Sequence, residues 1–461
     1  MKLVPTVGSL FVAALLAGCQ SSEKKAGEDS EKGMIHLITL DPGHFHAALV
    51  QKTMYDGVDS VVHVYAPDGP DLQLHLDKIE GYNTRPDDPT HWKEEVYKGP
   101  DFFDKMIADK AGNVVVMAGN NRLKTDYIHK TVGAGFNVLA DKPMVISAAK
   151  FDELKDAFTE ADKNKVMLYD IMTERYEITT MLQRAFSQQA DVFGTLEKGT
   201  PDNPAVTKES VHHFYKNVSG SVLTRPAWFM DVNQQGEGIV DVTTHLVDLV
   251  QWECFPEQTI DYQNDIKLTS ARRWTTDMSL DQFKAITKQD AFPDYLKKDV
   301  VDGNTLRVYS NGEINYQLRG VNAKVSVTWA YKAPEGGGDT HYSIMRGTKA
   351  NLIIRQGAEQ QYKPTLYIEP AGGNTSLEAS LKTVLPAIQK EFPGVEVKKI
   401  AKGWEVVIPD NYKEGHEAHF GRVMQKYLQF LKEGKMPAWE VPNMIAKYYT
   451  TTQALELAKK K

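Results

Sequence analysis

Between residues 34 and 169, short apolar runs alternate with stretches of helical spacing, and no other feature limits the fold of this chain so tightly. The apolar runs lie at 34–40, 61–65, 114–118, 137–140 and 166–169. Turn formers such as Asp41-Pro42-Gly43, Ala66-Pro67-Asp68-Gly69 and Gly119-Asn120-Asn121 close them. Short runs of this kind read as strands buried on both faces. Residues 45–55 and 125–134 carry apolar side chains at helical spacing, Gly135 ends the second, and Ser147 caps a further helix. The alternation predicts a doubly wound parallel sheet with ligands at the carboxyl ends of its strands. Residues 71–103 fit the pattern least. They hold Gly81-Tyr82-Asn83-Thr84-Arg85-Pro86 and are expected to form an inserted loop near that ligand-binding end.

The second half has a different period. Residues 305–309, 312–318 and 323–331 alternate apolar with polar, so that Val325, Val327 and Trp329 share one face. Asn311-Gly312 predicts a hairpin turn between the first two. Ser279-Leu280-Asp281-Gln282 reads as a capping box that opens a helix, and residues 444–460 as a terminal helix. The expectation is an α/β unit over residues 34–172, followed by an α+β unit over 173–461 with a large, mostly antiparallel open sheet.

At the start of the chain, Lys2 precedes an apolar run at 10–17 that is too short to span a bilayer. The run ends in Leu16-Ala17-Gly18-Cys19, which resembles the lipobox of bacterial lipoproteins. The resemblance implies that residues 1–18 are a signal peptide and that Cys19 carries a lipid, with 19–33 as a polar tether. An ordinary signal peptide followed by an incidental cysteine is the alternative. The expected location is the cell envelope, at the outer membrane or periplasm, with the lipid as the membrane contact. The other cysteine, Cys254, has no partner for a disulfide and sits in an apolar stretch, as a core residue would. A net charge of −7 with no basic block argues against nucleic acid or an anionic membrane surface as the main partner.

Three groups of residues carry chemistry. Ala140-Asp141-Lys142-Pro143 places a lysine at the carboxyl end of a strand, where an ammonium can stabilise a developing alkoxide. Taken alone, a solvated lysine after a strand accounts for it as well. Asp241-Val242-Thr243-Thr244-His245, followed by Asp248, puts a carboxylate and an imidazole four apart. On one helix they would share a face, and the carboxylate would favour the imidazolium. A helix-start carboxylate with an unrelated histidine is the plainer reading. Asp41-Pro42-Gly43-His44-Phe45-His46 occupies the first strand-to-helix turn, where dinucleotide folds carry G-x-G-x-x-G. Of those glycines it keeps the middle one, Gly43.

Together these residues resemble the Gfo/Idh/MocA family of oxidoreductases. Asp141-Lys142-Pro143 stands for the family's Glu-Lys-Pro, and residues 236–248 match its glycine-rich turn followed by Asp-x-x-x-His and a further aspartate. Asn121 matches an asparagine after a strand, with Lys124 in place of the usual histidine, and Glu174-Arg175-Tyr176 resembles the opening of the second domain. The resemblance implies a Rossmann fold and an NAD(P)-dependent oxidation of an alcohol, usually on a sugar or its derivatives. His245 would be the acid/base with Asp241 in support, and Lys142 would touch both the nicotinamide ribose and the reacting hydroxyl. Pro42, Gly43, His44 and Phe45, then Gly119, Asn120 and Asn121, and finally Asp141 would line the cofactor. Asp68 would meet its ribose and favour NAD over NADP. Asp41 and His46 depart from the glycine pattern and unsettle the pyrophosphate seat.

His-x-His after a first strand also occurs in metal-dependent hydrolases, but that chemistry needs ligands on later strands. The runs 114–118 and 138–140 end without them, so no metal is expected. His213, Lys216, Arg175 and Trp228 are candidate substrate contacts, and structural roles suit them equally. Export points to a tightly held cofactor, because free NAD is scarce outside the cytoplasm. The activity expected is oxidation of a ring hydroxyl, C3 by preference, on a sugar or glycoside during glycan processing. An NAD-dependent glycosidase working by transient oxidation and elimination, and a non-catalytic sugar-binding lipoprotein, are the alternatives. The family also implies pairing of subunits through the open sheet.

Overall fold

The computed structural model describes residues 34–218, 221–372 and 375–460. The signal peptide, the lipobox and the tether lie outside the described residues. Six strands form the first sheet: β1 (Leu37–Leu40), β2 (Val61–Ala66), β3 (Lys93–Lys98), β4 (Val114–Met117), β5 (Asn137–Asp141) and β6 (Leu168–Ile171). Their order is β3-β2-β1-β4-β5-β6, and every pairing is parallel. Ile38 of β1 lies opposite His63 of β2 on one side and Val115 of β4 on the other. Helices α1 (His46–Val50), α2 (Pro70–Thr84), α3 (Phe102–Asp109), α4 (Lys124–Gly133) and α5 (Phe151–Asn164) connect the strands. The strand order reverses between β1 and β4, the position where such sheets open a ligand crevice.

Two sequence expectations change here. Residues 71–103 are not an inserted loop. They hold most of α2 and the whole of β3. The helix was hard to see because its apolar stripe is thin, with Leu72, His75, Ile79 and Tyr82 as its buried residues. The strand was hidden by its charge. It reads KEEVYK, and such charge on an outermost strand guards the unpaired edge of a sheet. The helix expected over 45–55 stops after Val50. The Gln51 carbonyl accepts from Trp92 Nε1, and the Lys52 carbonyl accepts from Arg85, so tertiary donors replace the next helical turn.

The second sheet is built from β7 (Val206–Tyr215), β8 (Ile266–Ser279), β9 (Thr305–Leu318), β10 (Val321–Lys332), β11 (Thr340–Arg346), β12 (Ala350–Arg355), β13 (Thr365–Pro370), β14 (Glu396–Ile400) and β15 (Gly403–Val407). They run in the order β8-β9-β10-β7-β11-β12-β13-β15-β14. Among these neighbours, β10 and β7 pair parallel and the others antiparallel. Helices α6 (Ile178–Ser187), α7 (Thr243–Cys254) and α9 (Leu377–Glu391) pack on the sheet and share its core. The capping box at Ser279 is present and opens α8 (Leu280–Thr287).

Asn311-Gly312 is not a turn, because β9 runs straight through it. The turn into β10 comes later, at Arg319-Gly320. Gly312 is glycine because Ile239 lies against it, and a Cβ there would stand 2.6 Å from the Ile239 Cβ. The Asn311 side chain bonds the Trp274 carbonyl and the Trp329 amide on the flanking strands.

The last two helices return to the first sheet. Phe420, Val423, Met424, Tyr427 and Phe430 of α10 (His416–Glu433) enter its core. From α11 (Glu440–Lys459), Met444 and Tyr448 join the first core, and Ala454 and Leu455 join the second. Among the described residues no helix is long and apolar enough to cross a membrane.

Candidate active site

The carboxyl ends of β1 and β5 carry the polar residues of the first sheet. After β1, Asp41 takes a left-handed φ of 47° and the chain doubles back. The Gly43 amide donates to the Asp41 carbonyl (2.8 Å), and the His44 amide donates to the Ala118 carbonyl after β4 (2.9 Å). Gly119 closes the same contact, since a Cβ there would lie 1.9 Å from the Asp41 carbonyl oxygen. On the outer side of the turn, a Cβ on Gly43 would meet the Trp228 indole at 3.0 Å and Asp71 at 3.2 Å. Trp228 Nε1 donates to Asp71 Oδ2 (2.7 Å). Burial, with Asp71 beside it, pushes the Asp41 carboxyl up to about 6, against the pull of Lys124.

Lys142 follows β5 through a cis Lys142-Pro143 bond and is buried. Its ammonium donates to Asp241 Oδ1, and Gln235 Nε2 donates to Asp241 Oδ2 (3.2 Å). Asp241 therefore orients Lys142 and not His245. The expected carboxylate–imidazole pair does not form because α7 begins at Thr243, so Asp241 precedes the helix and shares no face with His245. His245 Nδ1 is buried without a partner. Burial and the nearby Lys142 charge lower the His245 imidazole to about 3, opposite to the imidazolium expected from the spacing.

His44 and His46 both turn toward Asp141. Asp141 Oδ2 lies 2.9 Å from His46 Nδ1 and 3.6 Å from His44 Nδ1. Burial holds both imidazoles well below their ordinary value. Lys124 Nζ donates to the Asp141 carbonyl, and burial lowers that ammonium to about 8.

A cavity of about 340 Å³ opens in front of these groups. His44, His46 and Lys142 line it from the first sheet's side, Asp241 and His245 from around the start of α7, and His212, Trp329, Lys216 and Asp339 from the large sheet and the segments that adjoin its strands. Asp339 accepts from Lys216 Nζ (2.6 Å) and lies against His212 and His213. Burial would raise its carboxyl, but His212, His213 and Lys216 hold it well below the usual range. His212 lines the cavity, whereas His213 does not and is buried with its Nδ1 3.1 Å from Asp339. The substrate expectation therefore moves from His213 to its neighbour, while Lys216 stays.

Other expected contacts are spent elsewhere. Arg175 makes a bidentate pair with Asp248 and reaches Glu440, all buried, so it is not a substrate contact. The Asn120 and Asn121 amides bond Gln234 and the Gln235 carbonyl (2.7 Å each). They hold the turn that brings Gln235 to Asp241, and with Gly119 they lie off the cavities described here. Trp228 covers Gly43 and does not line the main cavity. Asp68 is exposed after β2 and accepts from Lys98 Nζ at 3.3 Å.

Two groups had no sequence signal. Arg225 borders the main cavity, and its side chain donates to the Phe214 and His213 carbonyls. Burial lowers its guanidinium to about 10, so it stays cationic at neutral pH. His416, at the start of α10, lies 3.3 Å from Glu174. Burial would raise Glu174, but the hydrogen bond and charge of His416 keep it well below its ordinary value.

The residues present fit a dinucleotide. Two further cavities, of about 440 and 160 Å³, continue from Asp68 past Pro42 and Asp71 to His44 and Phe229, where the main cavity begins. Arg225 borders all three and supplies a buried cation along that line. At the waist, Gly43 lets the Trp228 indole and the Asp71 carboxyl close on the turn, and Asp41 borders the wider cavity.

Comparison with known proteins agrees with this layout. Residues 42–169 match the family model described as "Oxidoreductase family, NAD-binding Rossmann fold", and residues 182–459 match "Putative oxidoreductase C terminal domain". The crystal structure of a "putative oxidoreductase" from Parabacteroides merdae is 57% identical, with a TM-score of 0.91 over 93% of this chain and 98% of that one. An oxidoreductase domain protein from Kribbella flavida shares the fold at 14% identity, with a TM-score of 0.61 over 93% of this chain and 97% of that one. So does levoglucosan dehydrogenase in complex with NADH and levoglucosan, at 12% identity and a TM-score of 0.58 over 92% and 97%. No curated protein matches the sequence. A six-stranded parallel sheet in the order found here, the Asp141-Lys142-Pro143 and Asp241–His245 motifs on one cavity, and matches along both halves place this chain in the Gfo/Idh/MocA family of NAD-binding oxidoreductases.

Proposed function

We propose that the protein oxidises a ring hydroxyl of a sugar or glycoside, C3 by preference, using a tightly held NAD. The carrying observation is the convergence of Lys142, fixed by Asp241, and a neutral His245 on one cavity. The cavity wall suits a polyhydroxylated ring. Trp329 and Phe229 line it with aromatic surface, and Asp339, His212 and Lys216 add polar groups. Levoglucosan dehydrogenase, which shares the fold, is known in complex with NADH and a sugar-derived ligand.

Asp68 would meet the ribose, Arg225 would answer the diphosphate charge, and Lys142 would border the nicotinamide end. Bound NAD supplies the hydride acceptor. His245 lines the cavity, and its imidazole would take the hydroxyl proton. The Lys142 ammonium faces the developing alkoxide, and a donor aimed there contributes about 3–4 kcal/mol. Lipidation at Cys19 would hold the enzyme at the cell envelope, where glycan-derived sugars are processed.

A second reading, transient oxidation followed by elimination of a glycosidic bond, is favoured by Glu174 and His416. They form another acid/base pair on the same cavity that simple oxidation leaves unused. Mass spectrometry after denaturing extraction tests the common premise. Release of NAD(H) supports it, and no release together with no affinity on titration would sink it. A ketosugar among the products then favours oxidation, and a shortened sugar favours elimination. Lys142→Ala should cut turnover by about 10²-fold or more while circular dichroism stays unchanged. Retained turnover would refute the role given to Lys142.

A further inference from the structure

The histidines after β1 have a structural relation that the oxidation above does not use. His44 comes from the β1–α1 turn, His46 opens α1, and Asp141 is the last residue of β5. One ligand atom from each lies within 4.8 Å of the others. The hydrogen bond between His46 and Asp141 explains two of the three. It leaves His44 unexplained, since His44 Nδ1 is buried with no partner and points at the same carboxylate oxygen 3.6 Å away. Metal–ligand bonds of about 2.0 Å in a tetrahedral site set donor atoms about 3.3 Å apart. The separations of 2.9 and 3.6 Å from Asp141 Oδ2 lie on either side of that spacing.

The donor set is specific. Two imidazole nitrogens and one carboxylate oxygen suit zinc and its neighbours better than calcium or magnesium, which take oxygen. Three protein ligands with a fourth position open are the arrangement of a catalytic zinc. Asp141 is held from behind by Lys124, which donates to its carbonyl, and the His46 ring packs on Phe420 at 4.6 Å. Supports of this kind orient metal ligands. The nearest ammonium on the cavity side, Lys142, is already paired with Asp241. The strand that the sequence ends at Ala140 runs on to Asp141, which adds a carboxylate at the carboxyl end of β5.

We propose that His44, His46 and Asp141 bind one divalent transition metal ion of the zinc class, with an open position toward the cavity that holds Lys142 and His245. The open position takes an oxygen of water or of the substrate. The site stands on its own donor atoms and does not depend on the hydride reading, whose own test is release of NAD(H).

Cobalt(II) chloride, added alone to the chelator-stripped full-length protein, is the probe. Visible d–d bands that saturate at one equivalent and bleach on adding zinc are expected. Asp141→Asn, which keeps the shape of the side chain, and His44→Ala should each weaken cobalt binding at least tenfold. His129→Ala, a change at a histidine outside the cluster, should leave the titration unchanged. Near-ultraviolet circular dichroism reports whether each variant keeps its fold. If His44→Ala misfolds, the near-isosteric Asp141→Asn decides alone. Absence of bands, or bands that neither variant alters, overturns the site.

Discussion

Asp41 stands where the pyrophosphate turn of a dinucleotide fold usually has glycine. Burial, then Asp71, raise its carboxyl to about 6. Below that pH it is neutral, and above it a carboxylate borders the Pro42-Gly43-His44 turn. A bound diphosphate is repelled only by the ionised form, so NAD affinity should fall as pH rises through about 6. One ionised neighbour is expected to change affinity by about tenfold, or about 1.4 kcal/mol. Asp41→Asn should flatten the profile between pH 5 and 8 in fluorescence titrations and tighten binding at pH 8. An unchanged profile in the variant would show that Asp41 does not face the cofactor. The residue itself was visible in the sequence as a departure from the glycine pattern. Its burial was not, because the acids and the indole around it come from Asp71 and Trp228, far along the chain.

At the scale of elements, the glycines of the second half mark close packing between a turn and a strand. Gly238 precedes Asp241, and a Cβ there would lie 1.8 Å from the Ser310 carbonyl oxygen of β9. Gly312, two residues further along β9, accepts Ile239 in the same way. These contacts seat the 236–242 turn, and with it Asp241, on the large sheet. Gly238→Ala should cost about 1–3 kcal/mol in urea unfolding and lower turnover by loosening the Asp241–Lys142 pair. A variant with wild-type stability would show that the backbone yields cheaply there. The glycine-rich turn was legible as a motif. Its partner strand was misjudged, because Asn-Gly signals a hairpin only when no other element needs the missing side chain.

At the scale of the whole molecule, a buried ionic network ties the two sheets to the returning C-terminal helix. Arg175 pairs with Asp248 and Glu440, and Lys447 pairs with Asp170 (2.7 Å) and Asp248 (2.9 Å). All five side chains are 8% exposed or less. They come from β6 and the segment after it, from α7 and from α11. Breaking such a network leaves buried charge unanswered, which costs about 3–5 kcal/mol. Arg175→Met should therefore lower the thermal midpoint substantially, measured by calorimetry. It should do so without abolishing cobalt binding at His44, His46 and Asp141 while the protein is folded. A loss below about 1 kcal/mol would show that water or a rearranged Lys447 compensates.

Lys142, Asp241 and His245 stood out through their resemblance to a family's motifs, and the local periods in the sequence sufficed for five of the six parallel strands, much of β9 and β10, and the capping box. Those features follow from nearest neighbours along the chain, through the alternation of a strand and the turn of a helix. The pairings needed the tertiary structure. Asp241 took Lys142 from 99 residues away, Asp141 drew in two histidines from the turn after β1 and the start of α1, and α10 delivered His416 to the cavity from the far end of the chain. A periodic pattern records which face of an element is buried, but not what it is buried against, and the chemistry of this site depends on the second.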